Sequence, residues 1–191
     1  MTDILGLVRS SDLVAIGRIE TEVDPDLYPY VAVRCHEFAS ERVLYPRDAP
    51  RPLFVVSEPL ATGRRLAPLL LQDGRYLCFL RRGEFATAVA TALGQSANAV
   101  WELTDTDSAL QLAGQDRDVP ASTEFRRDAG VDPMDNPEEV IAVVETACRY
   151  TAARANEERA EVVRAVAARR GPLWDWLRGS LQRDQFDRSR R

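Results

Sequence analysis

At Asn136 the hydrophobic pattern of this chain changes period. Before it, apolar residues mostly alternate with polar ones; beyond it, they recur every three or four positions. A period of two puts successive side chains on opposite faces of a strand, whereas a period of 3.6 gathers them on one stripe of a helix. A chain that carries both patterns in that order is expected to be an α+β protein, strands first and helices after. At 45% hydrophobic over 191 residues it holds enough apolar material to bury a core.

The strand-forming part begins after a helical turn or two. Thr2-Asp3 is an N-cap signal ahead of Ile4, Leu5, Leu7 and Val8, and Ser10-Ser11-Asp12 ends the run. From Leu13 the period is two. Ala15, Gly17, Ile19, Thr21 and Val23 share one face, Leu13, Val14 and Ile16 make the start apolar on both, and Gly17 marks a bend or a close backbone approach. Asp24-Pro25-Asp26 breaks the run. A second strand follows over Tyr30 to Phe38, with Val31, Val33 and Cys35 opposite Tyr30, Arg34, His36 and Phe38.

Tyr45-Pro46 through Pro52 is a proline-punctuated loop, and Leu53 to Val56 a short third strand. Gln72-Asp73-Gly74 turns into a fourth, Arg75 to Leu80, apolar on both faces. Phe85 to Leu93 alternates but is rich in alanine, so strand and helix both stay open there. Val100 to Thr104 and Ala109 to Leu112 flank a polar turn and suggest a hairpin. Gly114 to Asp135 has no sustained period and is expected to be a connection.

Beyond that, Asn136 as N-cap, Pro137 as first helical residue and Glu139 form a capping-box-like start. Val140, Val143, Val144, Ala147 and Thr151 make its stripe. A second helix, Glu157 to Arg170, turns Val162, Val163 and Val166 inward and stops at Gly171-Pro172. A third runs from Leu173 to about Arg183, with Leu173, Trp174, Leu177 and Leu181 as its stripe. The expected architecture is an OB-like antiparallel β-barrel of five or six strands over residues 1–135, followed by two or three helices over 136–191 that pack on it.

The order of these pieces resembles a bacterial OB-type barrel of the netrin or tissue-inhibitor-of-metalloproteinase-like sort. Ser11-Asp12-Leu13-Val14-Ala15-Ile16-Gly17-Arg18-Ile19, Val31-Ala32-Val33 with Val43-Leu44, Gly74-Arg75-Tyr76-Leu77-Cys78-Phe79-Leu80 and Trp101-Glu102-Leu103 carry the resemblance. It spans residues 4 to 155 and implies a ligand- or protein-binding module. The inhibitor members of that group act through an N-terminal cysteine and a disulfide framework. This chain opens Met1-Thr2-Asp3, so inhibition by that route is not expected.

Residue types limit the chemistry. The single histidine, His36, sits next to Cys35 on one strand, so the two side chains point to opposite faces and do not share an ion; the expected arrangement is a core cysteine beside a surface histidine. Any Cys-His or Ser-His-Asp catalyst would have to use that same His36 as its base. There is no glycine-rich phosphate loop, and the carboxylate pairs Asp105 with Asp107 and Asp116 with Asp118 lie in polar turns. Neither a metal nor another cofactor is expected.

Three cysteines, Cys35, Cys78 and Cys148, are too few for a disulfide framework. With no signal-like leader and no run of about 20 apolar residues, a cytoplasmic location is expected unless a signal peptide has been removed.

All 25 basic residues are arginine. Residues 1–136 hold 14 of them against 21 acids, a net of −7, while residues 137–191 hold 11 against 9, a net of +2. Arg64-Arg65, Arg81-Arg82 and Arg126-Arg127 could border Tyr76, Phe79 and Trp101 as a ligand face, the arrangement by which such barrels hold single strands. The net negative charge of that region works against phosphate binding. The C-terminal segment concentrates aromatics among arginines, with Trp174, Trp176, Arg178 and Arg183 as the candidate partner-binding residues and Trp176 facing outward from the stripe. The favoured function is non-catalytic binding of another protein or self-association. A hydrolase is the first alternative and single-stranded nucleic-acid binding the second.

Overall fold

Asp3 opens the first helix as the sequence signal demands: its Oδ1 accepts the Leu5 amide at 3.2 Å, satisfying a donor that the first turn leaves free. The computed structural model describes residues 3–25, 34–57, 70, 72–103, 108–114 and 120–190, without the side chains of 120–124. In chain order its elements are α1 (Ile4–Ser10), β1 (Leu13–Val23), β2 (Arg34–Tyr45), β3 (Phe54–Ser57), β4 (Arg75–Arg81), α2 (Glu84–Ala92), β5 (Val100–Leu103), β6 (Ala109–Ala113), α3 (Pro120–Ala129), α4 (Pro137–Ala152), α5 (Asn156–Ala167) and α6 (Pro172–Ser189).

Five strands close a barrel. β1 pairs with β2 on one edge and β4 on the other, β2 pairs with β3, β3 with β5, and β5 returns to β4. β6 is a sixth strand beside this ring, laid on the Arg75–Cys78 stretch of β4 while β5 takes Leu80 and Arg81. The barrel is mixed, which corrects the all-antiparallel expectation: β3 and β5 run parallel, Val55 opposite Trp101. The chain between them contains β4 and α2, long enough for the crossover that a parallel pair requires. The hairpin expected around Asp105–Ser108 is also corrected, because β5 and β6 pair with successive stretches of β4 instead of with each other.

The strand alternation sorts side chains between two cores. Leu13, Ala15 and Ile19 of β1, Phe38 of β2, Val55 of β3, Tyr76, Cys78 and Leu80 of β4 and Trp101 and Leu103 of β5 fill the barrel interior. The intervening Val14, Ile16, Leu77 and Phe79, with Leu110 and Leu112 of β6, face outward and are covered by α1, α3, α4 and α6. That is why β1 and β4 begin apolar on both faces. At Gly17 a methyl group would stand 2.5 Å from the Ala39 carbonyl oxygen and 2.6 Å from the Phe38 ring, so the strand needs glycine for that approach.

Five segments depart from the sequence expectation. β2 runs on to Tyr45, past the expected end at Phe38, while residues 30–33 lie outside the described residues, and α6 runs on to Ser189, past the expected end near Arg183. Residues 84–92 are helix α2, because Ala86, Val89 and Ala90 fall at helical spacing and bury against Cys35, Val56 and Val100 on the outer face of the barrel. Residues 120–129, expected as connection, form α3, which anchors through Phe125 and Ala129 one turn apart. Gly171-Pro172 opens α6 and does not close α5, which already ends at Ala167. Gly171 takes a φ of 115°, accessible to glycine, and Pro172 fits the first helical position. At α4, Asn136 is the N-cap and Pro137 follows it, but the Asn136 side chain makes no capping hydrogen bond.

The helices are pinned to one another through a polar knot that is buried only at its Tyr150 end. Tyr150 of α4, almost fully buried, donates its hydroxyl to Asp184 Oδ2 of α6 at 2.9 Å; Arg188 reaches the same oxygen and Arg9 of α1 reaches Oδ1, each at 2.7 Å. Burial pushes the Asp184 carboxyl up, but the hydrogen bonds from Arg188, Tyr150 and Arg9 outweigh it and hold the group below the ordinary carboxylate range.

Candidate functional site

The ring of residues suggested as a ligand face is not assembled on one surface. Tyr76 and Trp101 point into the barrel and Phe79 points the other way, beneath the helices; all three are buried. The two neighbouring arginines are engaged in the fold. Arg81 donates from Nε and Nη2 to Glu102 Oε1 at 3.1 and 2.8 Å, and the buried Glu102 turns its other oxygen to the Ala86 amide at 3.4 Å, supporting the first turn of α2. Arg82 lies over the Trp101 ring and donates to Asn98 Oδ1 and to the Ala97 carbonyl. Arg126 and Arg127 pair with Asp132 and Asp128. Arg64, Arg65 and the carboxylates Asp105, Asp107, Asp116 and Asp118 lie outside the described residues.

The α6 residues are likewise placed by packing. Trp174 is 7% exposed within the helical core, with Arg169 over its ring at 5.4 Å. Trp176 is half-buried, which corrects its expected outward direction: it meets Phe125 of α3 edge to face, centroids 5.2 Å apart, because α3 occupies the side of α6 that the sequence left open. Arg178 donates to the carbonyls of Arg169 and Val166 at 2.9 and 3.4 Å, closing the C-terminal end of α5, and to Asp175 at 2.5 Å. Among the described residues Arg183 reaches only Ser180, at 3.0 Å.

His36 is a second correction. It is 2% exposed and not a surface group, since the interior face of β2 continues from Phe38 through it toward Val55 on β3. Burial lowers its pKa, Glu22 pulling it up and Arg34 down by lesser amounts. Cys35, on the opposite face, packs under α2 with its thiol pushed up to about 12 by burial. Among the described residues no group of three or more histidines, cysteines or carboxylates could hold a metal ion, and no helix is long and apolar enough to cross a membrane.

What the structure does assemble is a groove where the barrel meets the helical layer. It encloses about 440 Å³ between the end of β2, with the Tyr45-Pro46-Arg47 turn behind it, and the facing sides of α4 and α5. Leu44, Cys148, Ala153 and Val162 give it an apolar floor, and Ala152 leaves room above that floor. Arg47 and Arg149 stand at its rim, exposed. Glu158 and Glu161 of α5, also exposed, line it as well. Cys148 is a neutral floor residue, its thiol pushed to about 12 by burial and, secondarily, by Glu145.

Sequence reasoning missed this groove because it joins residues 44–47 to residues 148–162, which no local pattern connects. Arg149, next in sequence to the buried Cys148 but turned to solvent, was the one local signal. No family model matches the chain, and neither a curated protein nor a solved structure matches it.

Proposed function

We propose that this chain is a non-catalytic binding module for another protein, and that the groove between the end of β2, α4 and α5 receives a segment of that partner. The observation that carries this reading is the groove itself: an apolar floor of buried side chains ringed by exposed charged ones, the composition of a protein-binding patch with its apolar centre and polar rim. It is open to solvent, which suits a segment of another protein better than an enclosed small molecule. The resemblance to OB-type binding modules points the same way, as an analogy of fold only.

Ala152 offers the test. It is exposed at the end of α4, so Ala152→Trp fills the groove from above without disturbing the core. A partner recovered with the wild-type chain should protect amides of the last turn of α4 and the first turns of α5 from hydrogen exchange. Ala152→Trp should lose both partner and protection while melting at the wild-type temperature. Undiminished capture by that variant, with protection elsewhere on the surface, overturns the reading.

A further inference from the structure

We propose that the segment received by the groove is acidic: a peptide stretch that rests an apolar side chain on the floor and sets carboxylates against Arg47 and Arg149. This rests on the groove being the binding site, as argued above.

Four of the lining residues are charged, and they are not equivalent. Glu158 is already employed by the fold. Its Oε2 accepts the amides of Arg154 and Ala155, at 2.9 and 3.3 Å, capping the start of α5. Arg47 and Arg149 differ from it. Among the described residues neither makes an ion pair or a hydrogen bond, whereas Arg42, Arg75 and Arg178 nearby in the sequence or fold each hold a carboxylate. A guanidinium stays charged at any pH the protein meets and presents a planar fork of donors that matches a carboxylate. Two unengaged forks beside an apolar floor therefore favour an anionic, partly apolar visitor.

Glu161 works against such a visitor. Exposed on α5 and, among the described residues, without a partner, it repels a carboxylate brought into the groove. Removing the Glu161 charge should therefore strengthen the binding of an acidic segment. An apolar or basic segment gives the opposite or no response. The thiol of Cys148 adds no competing charge to the floor.

The probe is a library of random short peptides displayed against the full chain. Enriched peptides are expected to carry an apolar residue flanked by Asp or Glu. Their binding should fall about tenfold in Arg47→Glu or Arg149→Glu, rise several-fold in Glu161→Gln, and weaken with added salt. All three positions are exposed and, among the described residues, unpaired, so their charge changes leave folding intact, which melting of each variant checks. Enriched peptides that are basic or uncharged, yet are still displaced by Ala152→Trp, overturn the acidic partner and leave the groove as the site. Peptides indifferent to Ala152→Trp, or no enrichment at all, overturn both.

Discussion

The guanidinium carbon of Arg82 lies 4.5 Å from the centroid of the Trp101 ring, and the two residues share a third, Asn98. Trp101 donates its indole N–H to the Asn98 carbonyl at 3.0 Å, while Arg82 donates to the Asn98 side chain at 2.6 Å. The Arg82 amide also reaches Asp12 at 2.9 Å. One stack thus joins the start of β1, the end of β4 and the loop that enters β5, where the barrel closes. It turns a residue pair that could have gripped a nucleotide base into a lid over the barrel interior.

Trp101→Ala should therefore lower stability by about 3 to 5 kcal/mol, since the ring is 3% exposed and its loss leaves a cavity among Val55, Leu80 and Leu103. Arg82→Ala should cost about 1 kcal/mol, the size of an exposed cation–π contact. Urea unfolding of both variants measures this. Equal and small losses would mean that the ring is not part of the core.

The two tryptophans of α6 should both matter for stability, in graded fashion. Trp174→Ala removes a core side chain and should cost about 3 to 5 kcal/mol. Trp176→Ala removes a half-buried ring and its edge-to-face contact, and should cost about 2 kcal/mol. A double-mutant cycle with Phe125→Leu should show coupling of about 0.5 to 1.5 kcal/mol between Phe125 and Trp176. Zero coupling would place Trp176 on a free surface.

These outcomes mark where the sequence could and could not be read. Strand positions were legible because Leu13, Ala15 and Ile19, or Tyr76, Cys78 and Leu80, alternate with residues of the other core, and alternation survives in the linear chain. The pairing of β3 with β5 was not legible, for closure depends on residues nearly fifty positions apart. α2 was ambiguous because alanine at every second position satisfies both periods, and only the apolar shelf of Cys35, Val56 and Val100 selects the helix. α3 escaped because, among the described residues, its stripe is Phe125 and Ala129 alone. That same omission made Trp176 look outward. Buried His36 escaped for a related reason: a polar residue on an alternating face looks exposed unless both faces are known to be covered.

Glu102 should prove more sensitive than a surface carboxylate. It is 2% exposed, held by Arg81 and by the first turn of α2, and it stands so close to Gly83 that a methyl group there would overlap its carboxylate. Gly83→Ala should accordingly displace Glu102 and cost about 3 kcal/mol, in the range for breaking a buried, hydrogen-bonded charge. In a Glu102→Ala background the same substitution should cost much less. Denaturant melts of the two single variants and the double variant test the coupling; simple additivity would show that Gly83 acts through its backbone alone.

The last prediction concerns acid. His36 is the only histidine, it is buried among barrel residues, and among the described residues its Nε2 has no hydrogen-bond partner. Because burial lowers its pKa in the folded chain, the unfolded chain takes up a proton first as the pH falls through about 6.5. Stability should then decline by up to about 1.4 kcal/mol per pH unit, and go on declining until the folded His36 is itself protonated. Glu22 and Arg34, the charged groups nearest in effect, act in opposite directions and leave that sign unchanged. Asp184 acts in a separate window. Its carboxyl is held below the ordinary value of 3.8, so its contribution is present above that pH and is lost as the pH drops toward the folded value. Unfolding free energies from pH 8 down to 3 should therefore show two declines. His36→Gln should flatten the upper one and Asp184→Asn the lower. An upper decline that persists in His36→Gln would mean that a group other than the buried imidazole takes up the proton there, and that His36 is solvated in the folded barrel.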